Sequence, residues 1–270
     1  MDKISKKTQM IKERISKLRN KFEDFNIDGY VIPKNDEFFS EYSQKDRLKT
    51  TISNFTGSAG YAIILWRKNY LFVDGRYSIQ AEKESAKEFE IINLNKIQNC
   101  KLFKNLVLGL DPKLFTFKQI NNFFKKYNKV KEIESNLVDS IYNNYLYKSK
   151  PFFSLNKKIV GDSHLIKIKK TASIIKRNKS NYLFITAPEN VAWLLNIRGN
   201  DNPNSPIPNC RAIIDSDREI FLICEKKKAQ NLIKEKKIKK ENLILPKDFK
   251  SFIKKLKKNK IMIDEKSCSL

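Results

Sequence analysis

The chain has 270 residues, 40% hydrophobic and 31% charged, with only seven glycines and eight prolines. That is enough for two domains with apolar cores, and it excludes a disordered, collagen-like or linker-like chain. Lysine and arginine number 55 against 30 acidic residues, a formal charge of +25, and this balance alone would suit a partner rich in phosphate. Only nine of the 55 are arginine, the side chain that reads bases in a bidentate way, and no nucleic-acid motif is present, so no specific nucleic acid is expected. No apolar run approaches the ~20 residues that cross a bilayer, and the N-terminus carries no apolar signal segment. The expectation is a cytoplasmic protein with no membrane partner. Cys100, Cys210, Cys224 and Cys268 show no CxxC spacing and are expected as reduced thiols.

In chain order, Ile4, Ile11, Ile15, Leu18, Phe22 and Phe25 recur three or four apart and predict an amphipathic helix over 4–25. Gly29 to Pro33 reads as a buried strand, Phe38 to Tyr42 as a helical turn, and Tyr61 to Trp66 and Tyr70 to Val73 as two adjacent strands. A helix over 78–88, a strand over 90–93, a helix over 96–104, a strand over 106–110, a helix over 116–127 and a strand over 130–134 follow. The second half repeats this order: a helix over 166–176, a strand over 182–186, a helical turn over 190–195, and strands over 211–215 and 219–224. A further helix, a strand over 243–245, a helix over 249–256 and a strand over 260–264 close the series.

Matching strands lie about 150 residues apart, one domain length. The pattern is α/β: two related domains, each a mixed β-sheet flanked by helices. They are expected over 1–141 and 163–270, joined by a linker over 142–162. The second copy has no counterpart to the helix and strand at 116–134, so it is expected to be incomplete, and the chain a fragment.

Gly57 and Gly60, in Phe55-Thr56-Gly57-Ser58-Ala59-Gly60, sit where a turn enters a strand. Glycine there permits a positive φ or close backbone approach. No GxGxxG or Walker pattern accompanies them, so a structural turn is expected. Asp74-Gly75-Arg76-Tyr77 ends a strand, where α/β folds gather ligand-facing groups. Arg76 can clamp a carboxylate, or Asp74 can cap the next turn while Arg76 makes a structural ion pair. Asp36, Glu37 and Glu41 form an acidic cluster without histidine, and the single His164 has no second ligand nearby in sequence. Neither a metal site nor a nucleophilic triad is expected in this chain.

Five ordered motifs then resemble one family. Ile32-Pro33-Lys34-Asn35-Asp36, Ser40-Glu41-Tyr42, Phe55 to Gly60, Asp74 to Tyr77 and Gln80-Ala81 are similar to the first domain of aminopeptidase P, the Xaa-Pro aminopeptidases of the creatinase/prolidase type. Ala192 to Asp201 resembles the signature of that family's second domain. The resemblance implies the first two domains of a three-domain enzyme that removes the residue preceding proline. Its two metal ions, usually Mn²⁺, are held by a third domain that is not among these residues, and none of those ligands can be carried over. Where the family has a histidine before Ser-Glu-Tyr, Glu37, Phe38 and Phe39 stand here.

The implied role is accessory. It consists of limiting a neighbouring cleft to short proline-containing peptides and of assembly with the chain's own catalytic domain in a homodimer. Asp36, Arg76 and Tyr77 are the substrate-facing candidates. Gly57, Gly60, Gly75, Arg198 and Asp201 are expected to hold the motif turns, with Asn196 beside them. The alternatives are a stand-alone interaction module and, further off, a basic nucleic-acid-binding protein.

Overall fold

The structure, a computed structural model, describes residues 3–40, 43, 45–85, 87–99, 101–142, 149–202 and 204–270. Two compact units divide the chain: Met1–Tyr145 with Ser269–Leu270, and Leu146–Cys268.

The first unit contains α1 (Lys3–Arg19), β1 (Gly29–Pro33), β2 (Gly60–Leu65), β3 (Asn69–Val73), α2 (Ser78–Ser85), β4 (Glu90–Asn93), β5 (Val107–Leu110), α3 (Phe117–Ile120), β6 (Lys129–Glu132) and α4 (Leu137–Ile141). Its six strands lie in the order β4-β3-β2-β1-β5-β6. β1, β2 and β3 form an antiparallel meander, while β4 runs parallel to β3, and β5 and β6 parallel to β1. Side chains alternate across such a sheet. Tyr30 and Ile32 accordingly join one core with Ile15, Leu18 and Phe22 of the N-terminal segment, and Val31 joins the other with Phe115, Ile120 and Phe124. Both faces are covered, which is why every residue of β1 is buried.

α1 stops at Arg19, short of the expected helix end at Phe25. The chain turns instead, with Asn26 at φ 44° and the Ile27 N–H donating to the Phe22 carbonyl at 3.0 Å. The turn keeps Phe22 in the core, so apolar spacing outlasts the helix. The helix expected over 116–127 begins with a Thr116–Gln119 capping box and widens into a π turn over Asn121–Lys125.

The second unit contains β7 (Phe153–Ser154), α5 (His164–Arg177), β8 (Tyr182–Ile185), α6 (Pro188–Leu195), β9 (Ile197–Arg198), β10 (Arg211–Asp215), β11 (Ile220–Ile223), α7 (Lys226–Lys234), β12 (Leu243–Ile244), α8 (Phe249–Lys255) and β13 (Ile261–Met262). Its sheet order is β12-β11-β10-β8-β13. β8, β10 and β11 form the meander, with β12 parallel to β11 and β13 parallel to β8. Strand for strand this is the pattern of β4-β3-β2-β1-β5, so the repeat seen in the sequence is a repeat of topology. β6 has no counterpart among the described residues.

Part of the expected linker is packed structure. Phe152 is fully buried in the second core, and β7 pairs with β9, setting Phe153 opposite Arg198. A short apolar pair flanked by lysines and Pro151 gives no periodic signal, so only its packing identifies it. Among the described residues no helix is long and apolar enough to cross a membrane.

Candidate functional site

In the first sheet every strand except β2 runs the same way, so the loops after β1, β3, β4 and β5 leave one edge. That edge gathers the sequence-predicted residues of this unit. Pro33 lies opposite Tyr61, Gly60 opposite Val73, and Val73 opposite Asn93. Asp36 follows β1, while Asp74, Gly75, Arg76 and Tyr77 follow β3.

Asp36 is buried, and its Oδ1 accepts the backbone N–H groups of Phe38 and Ser40, each at 2.9 Å. Burial outweighs these bonds and raises its carboxyl above the usual range. The loop is an Asx-type turn, with Phe39 at φ 56°. The helical turn expected over Phe38–Tyr42 therefore does not form as far as Ser40: the Asp36 side chain captures the N–H groups, and Phe39 takes a left-handed conformation. Glu41 and Tyr42 lie outside the described residues.

Glu37 turns to Arg47. Arg47, 1% exposed, donates through Nη2 to Glu37 Oε1 at 2.8 Å and through Nε and Nη2 to both oxygens of Asp139, each at 2.8 Å. Burial works against the Glu37 charge, but Arg47 and Lys45 outweigh it and hold its carboxyl below the usual range. This fork pins the loop after β1 to α4. Sequence reading missed it, because 92 residues separate Arg47 from Asp139 and nothing local marks either one.

Asp74 caps the turn over Gly75–Tyr77 by accepting the Arg76 N–H at 3.0 Å, and it also pairs with the Arg76 guanidinium at 2.9 Å. The Arg76 side chain keeps 74% of its surface exposed. Its guanidinium carbon lies 5.5 Å from the centre of the Tyr77 ring. Tyr77 in turn shares a 3.0 Å hydrogen bond with the Ser58 hydroxyl and sets its ring against Phe55. The Asp74–Tyr77 turn and the Thr56–Gly60 turn are thereby joined.

Among the described residues no glycine has a positive φ, so Gly57 and Gly60 serve close approach. A Cβ on Gly60 would lie 2.8 Å from the Phe72 carbonyl oxygen, and one on Gly57 would strike the Phe55 ring. At Gly75 the nearest atom would be Asn93 Nδ2 at 3.1 Å. The Thr56 N–H and hydroxyl both donate to Glu84 of α2, each at 2.7 Å. A carboxylate thus occupies both donors of Thr56 at the start of this turn.

In the second unit, Asp201 is buried, pairs with Lys228 at 2.9 Å and accepts the Asn209 N–H at 2.6 Å. Arg198 donates to its neighbour's carbonyl, that of Ile197, at 2.8 Å. Asn196, at φ 51°, ends α6 and accepts from the buried Lys167 at 2.6 Å. These side chains hold the turn that follows α6. His164 opens α5, where burial, then Lys237 and Lys157, lower its pKa. Among the described residues no group of three or more His, Cys, Asp or Glu side chains could hold a metal ion.

Comparison with known proteins agrees with this architecture. Residues 14–140 and 145–270 each match a family model described as a creatinase/prolidase N-terminal domain. A probable Xaa-Pro aminopeptidase P of Laccaria bicolor is 35% identical over 227 residues, covering 78% of this chain and 35% of that protein. Xaa-Pro aminopeptidase 1 of Dictyostelium discoideum is 28% identical, covering 80% of this chain and 38% of that protein. The chain therefore spans about a third of the length of these relatives. Among solved structures, the cytosolic X-prolyl aminopeptidase of Caenorhabditis elegans, described as having a di-nuclear active site, superposes with a TM-score of 0.79 at 24% identity. That match covers 93% of this chain and 46% of that one. With one match in each half, the chain belongs to the creatinase/prolidase N-terminal domain family and corresponds to the N-terminal part of Xaa-Pro aminopeptidase-like proteins.

Proposed function

We propose that this chain is the accessory part of a metal-dependent Xaa-Pro aminopeptidase, which removes the N-terminal residue that precedes proline in peptides. The observation that supports it is the tandem of two creatinase/prolidase N-terminal domains, aligned with relatives called Xaa-Pro aminopeptidase P. In this reading the two divalent metal ions, Mn²⁺ or another, belong to a catalytic domain outside these residues. The described side chains offer no donor set that fits such a centre. The catalytic domain, a second copy of the protein and short proline-containing peptides are the partners, and the cytoplasm is the compartment.

Arg76 and Tyr77 are the residues through which this part meets substrate. The exposed guanidinium is held by Asp74 in a fork that a peptide carboxylate can share, and Tyr77 supports it from one side. Asp36 acts one step back, by shaping the loop after β1. The 270-residue chain, assayed with Mn²⁺ on an Xaa-Pro peptide, is expected to release no first residue. Turnover that a chelator abolishes would overturn the accessory reading. In a protein joining this chain to its catalytic domain, Arg76→Ala is expected to raise KM for short peptides. An unchanged KM and kcat would remove Arg76 from the proposal.

A further inference from the structure

The pairing of β10 with β11 runs from Ile214 opposite Ile220 to Arg211 opposite Ile223. One further step in the same register sets Cys210 opposite Cys224. Facing residues in antiparallel strands alternate between pairs that exchange backbone hydrogen bonds and pairs that do not. The Asp215 N–H donates to the Glu219 carbonyl at 3.0 Å, which fixes the phase. Asp215 with Glu219, Ile213 with Phe221 and Arg211 with Ile223 are bonded pairs, and Cys210 with Cys224 is a non-bonded pair. The Cys224 N–H accordingly turns to the other neighbouring strand and donates to the Ile244 carbonyl at 3.2 Å.

Non-bonded pairs bring their Cα atoms to ~4.5 Å, inside the ~4.4–6.8 Å that a disulfide spans. Both side chains also face the same way. They are buried in one apolar cluster with Ala212, Ile214, Ile220 and Leu222, the residues that alternate with them along the two strands. Both are free thiols.

We propose that Cys210 and Cys224 form a redox-modification site, in which a low-molecular-weight disulfide such as oxidised glutathione closes a cross-strand disulfide within the native sheet. The thiolate of Cys224, the slightly more exposed of the two, attacks one sulfur of the oxidised glutathione and expels one glutathione thiolate. The Cys210 thiolate then attacks the Cys224 sulfur of the mixed disulfide and expels the second. The two cysteines lose two protons and two electrons, and the two electrons reduce one oxidised glutathione to two glutathione molecules.

Access comes from the end of the ladder. The pair lies one step beyond its last residues, and 206–210, which include Pro206 and Pro208, form no helix or strand. Opening there costs less than opening the sheet's centre. While the sheet is closed the thiols react slowly, because burial disfavours the thiolate and pushes the Cys224 thiol up to about 12.

The test is to equilibrate the folded chain with glutathione at several ratios of oxidised to reduced form. The reaction is quenched in acid, free thiols are blocked with N-ethylmaleimide after denaturation, and tryptic peptides are mapped without reduction. The expected product is a single cross-link joining Cys210 and Cys224, lighter by two hydrogens, with a melting temperature about 5 °C above the reduced protein. In Cys210→Ala the cross-link is lost and Cys224 carries glutathione instead. Cysteines 210 and 224 blocked as thiols at every ratio would overturn the proposal. A cross-link formed only in urea, or one pairing either residue with Cys100 or Cys268, would do the same.

Discussion

Replacing Arg47 by methionine removes the cation that ties the loop after β1 to α4 while keeping a side chain of similar reach. Breaking a buried ion pair by deleting one partner costs ~3–5 kcal/mol, because the remaining charge stays in a medium that solvates it poorly. Two features place this case at the low end. The Glu37 and Asp139 side chains are 24% and 25% exposed and can rehydrate. Arg47 Nη1 is buried without a hydrogen-bond partner, so its deletion also removes an unmet donor. A loss of about 3 kcal/mol at pH 7 follows. With a urea dependence of ~2 kcal/mol per M, the unfolding midpoint of the first unit should fall by about 1.5 M.

The two tryptophans lie one in each unit, so fluorescence of Trp66 in a Trp193→Phe background reports the first unit alone. Trp66 packs edge-on against Phe22, with ring centres 5.2 Å apart. The pH dependence adds a check. The Glu37 carboxyl is held below its usual range in the folded state, so its stabilisation is present above the unfolded value of ~4.3 and is lost as pH falls through the lower folded one. The gap between wild type and Arg47→Met should therefore narrow below about pH 4. A midpoint shift under ~0.5 M at pH 7 would mean that the fork does not hold this loop, and the argument from burial would fail.

Asp36 gives the opposite sign. Its carboxyl is raised by burial, so the folded state takes up a proton more readily than the unfolded one, and stability gains as pH falls toward the folded pKa. Asp36→Asn keeps an oxygen for Phe38 and Ser40 without the buried charge, and it is expected to match or exceed wild type at pH 7 with a flatter pH profile. Asp36→Ala strands two N–H groups and should cost about 1–2 kcal/mol, measured by the same urea unfolding. Gly60→Ala brings a Cβ to 2.8 Å from the Phe72 carbonyl oxygen on the neighbouring strand. It should cost about 2 kcal/mol, and a melting temperature within a degree of wild type would refute the close-approach reading.

The α/β class, the repeat and most strands were legible from sequence because they rest on local periodicity. Residues of β1 and β10 are apolar on both faces, and each strand is bounded by turn residues. The family resemblance was carried by short contiguous motifs at the strand ends. The boundaries of α1 and of the helix at 116–127 were not legible, since Phe22 and Phe124 keep the apolar spacing where the backbone turns or widens. Nothing local showed that Arg47, ten residues on, would take up Glu37, or that Asp139 would share the same guanidinium. Glu84 at the Thr56–Gly60 turn and Lys228 beside Asp201 were equally silent, and so was the Cys210–Cys224 pairing, which depends on register and its phase. Sequence by itself determined what most of the longer segments are, because propensity and alternation act over a few residues. Only the tertiary structure decided which charges meet, since in a buried site a carboxylate's partner is set by the fold that excludes water and not by its neighbours in the chain.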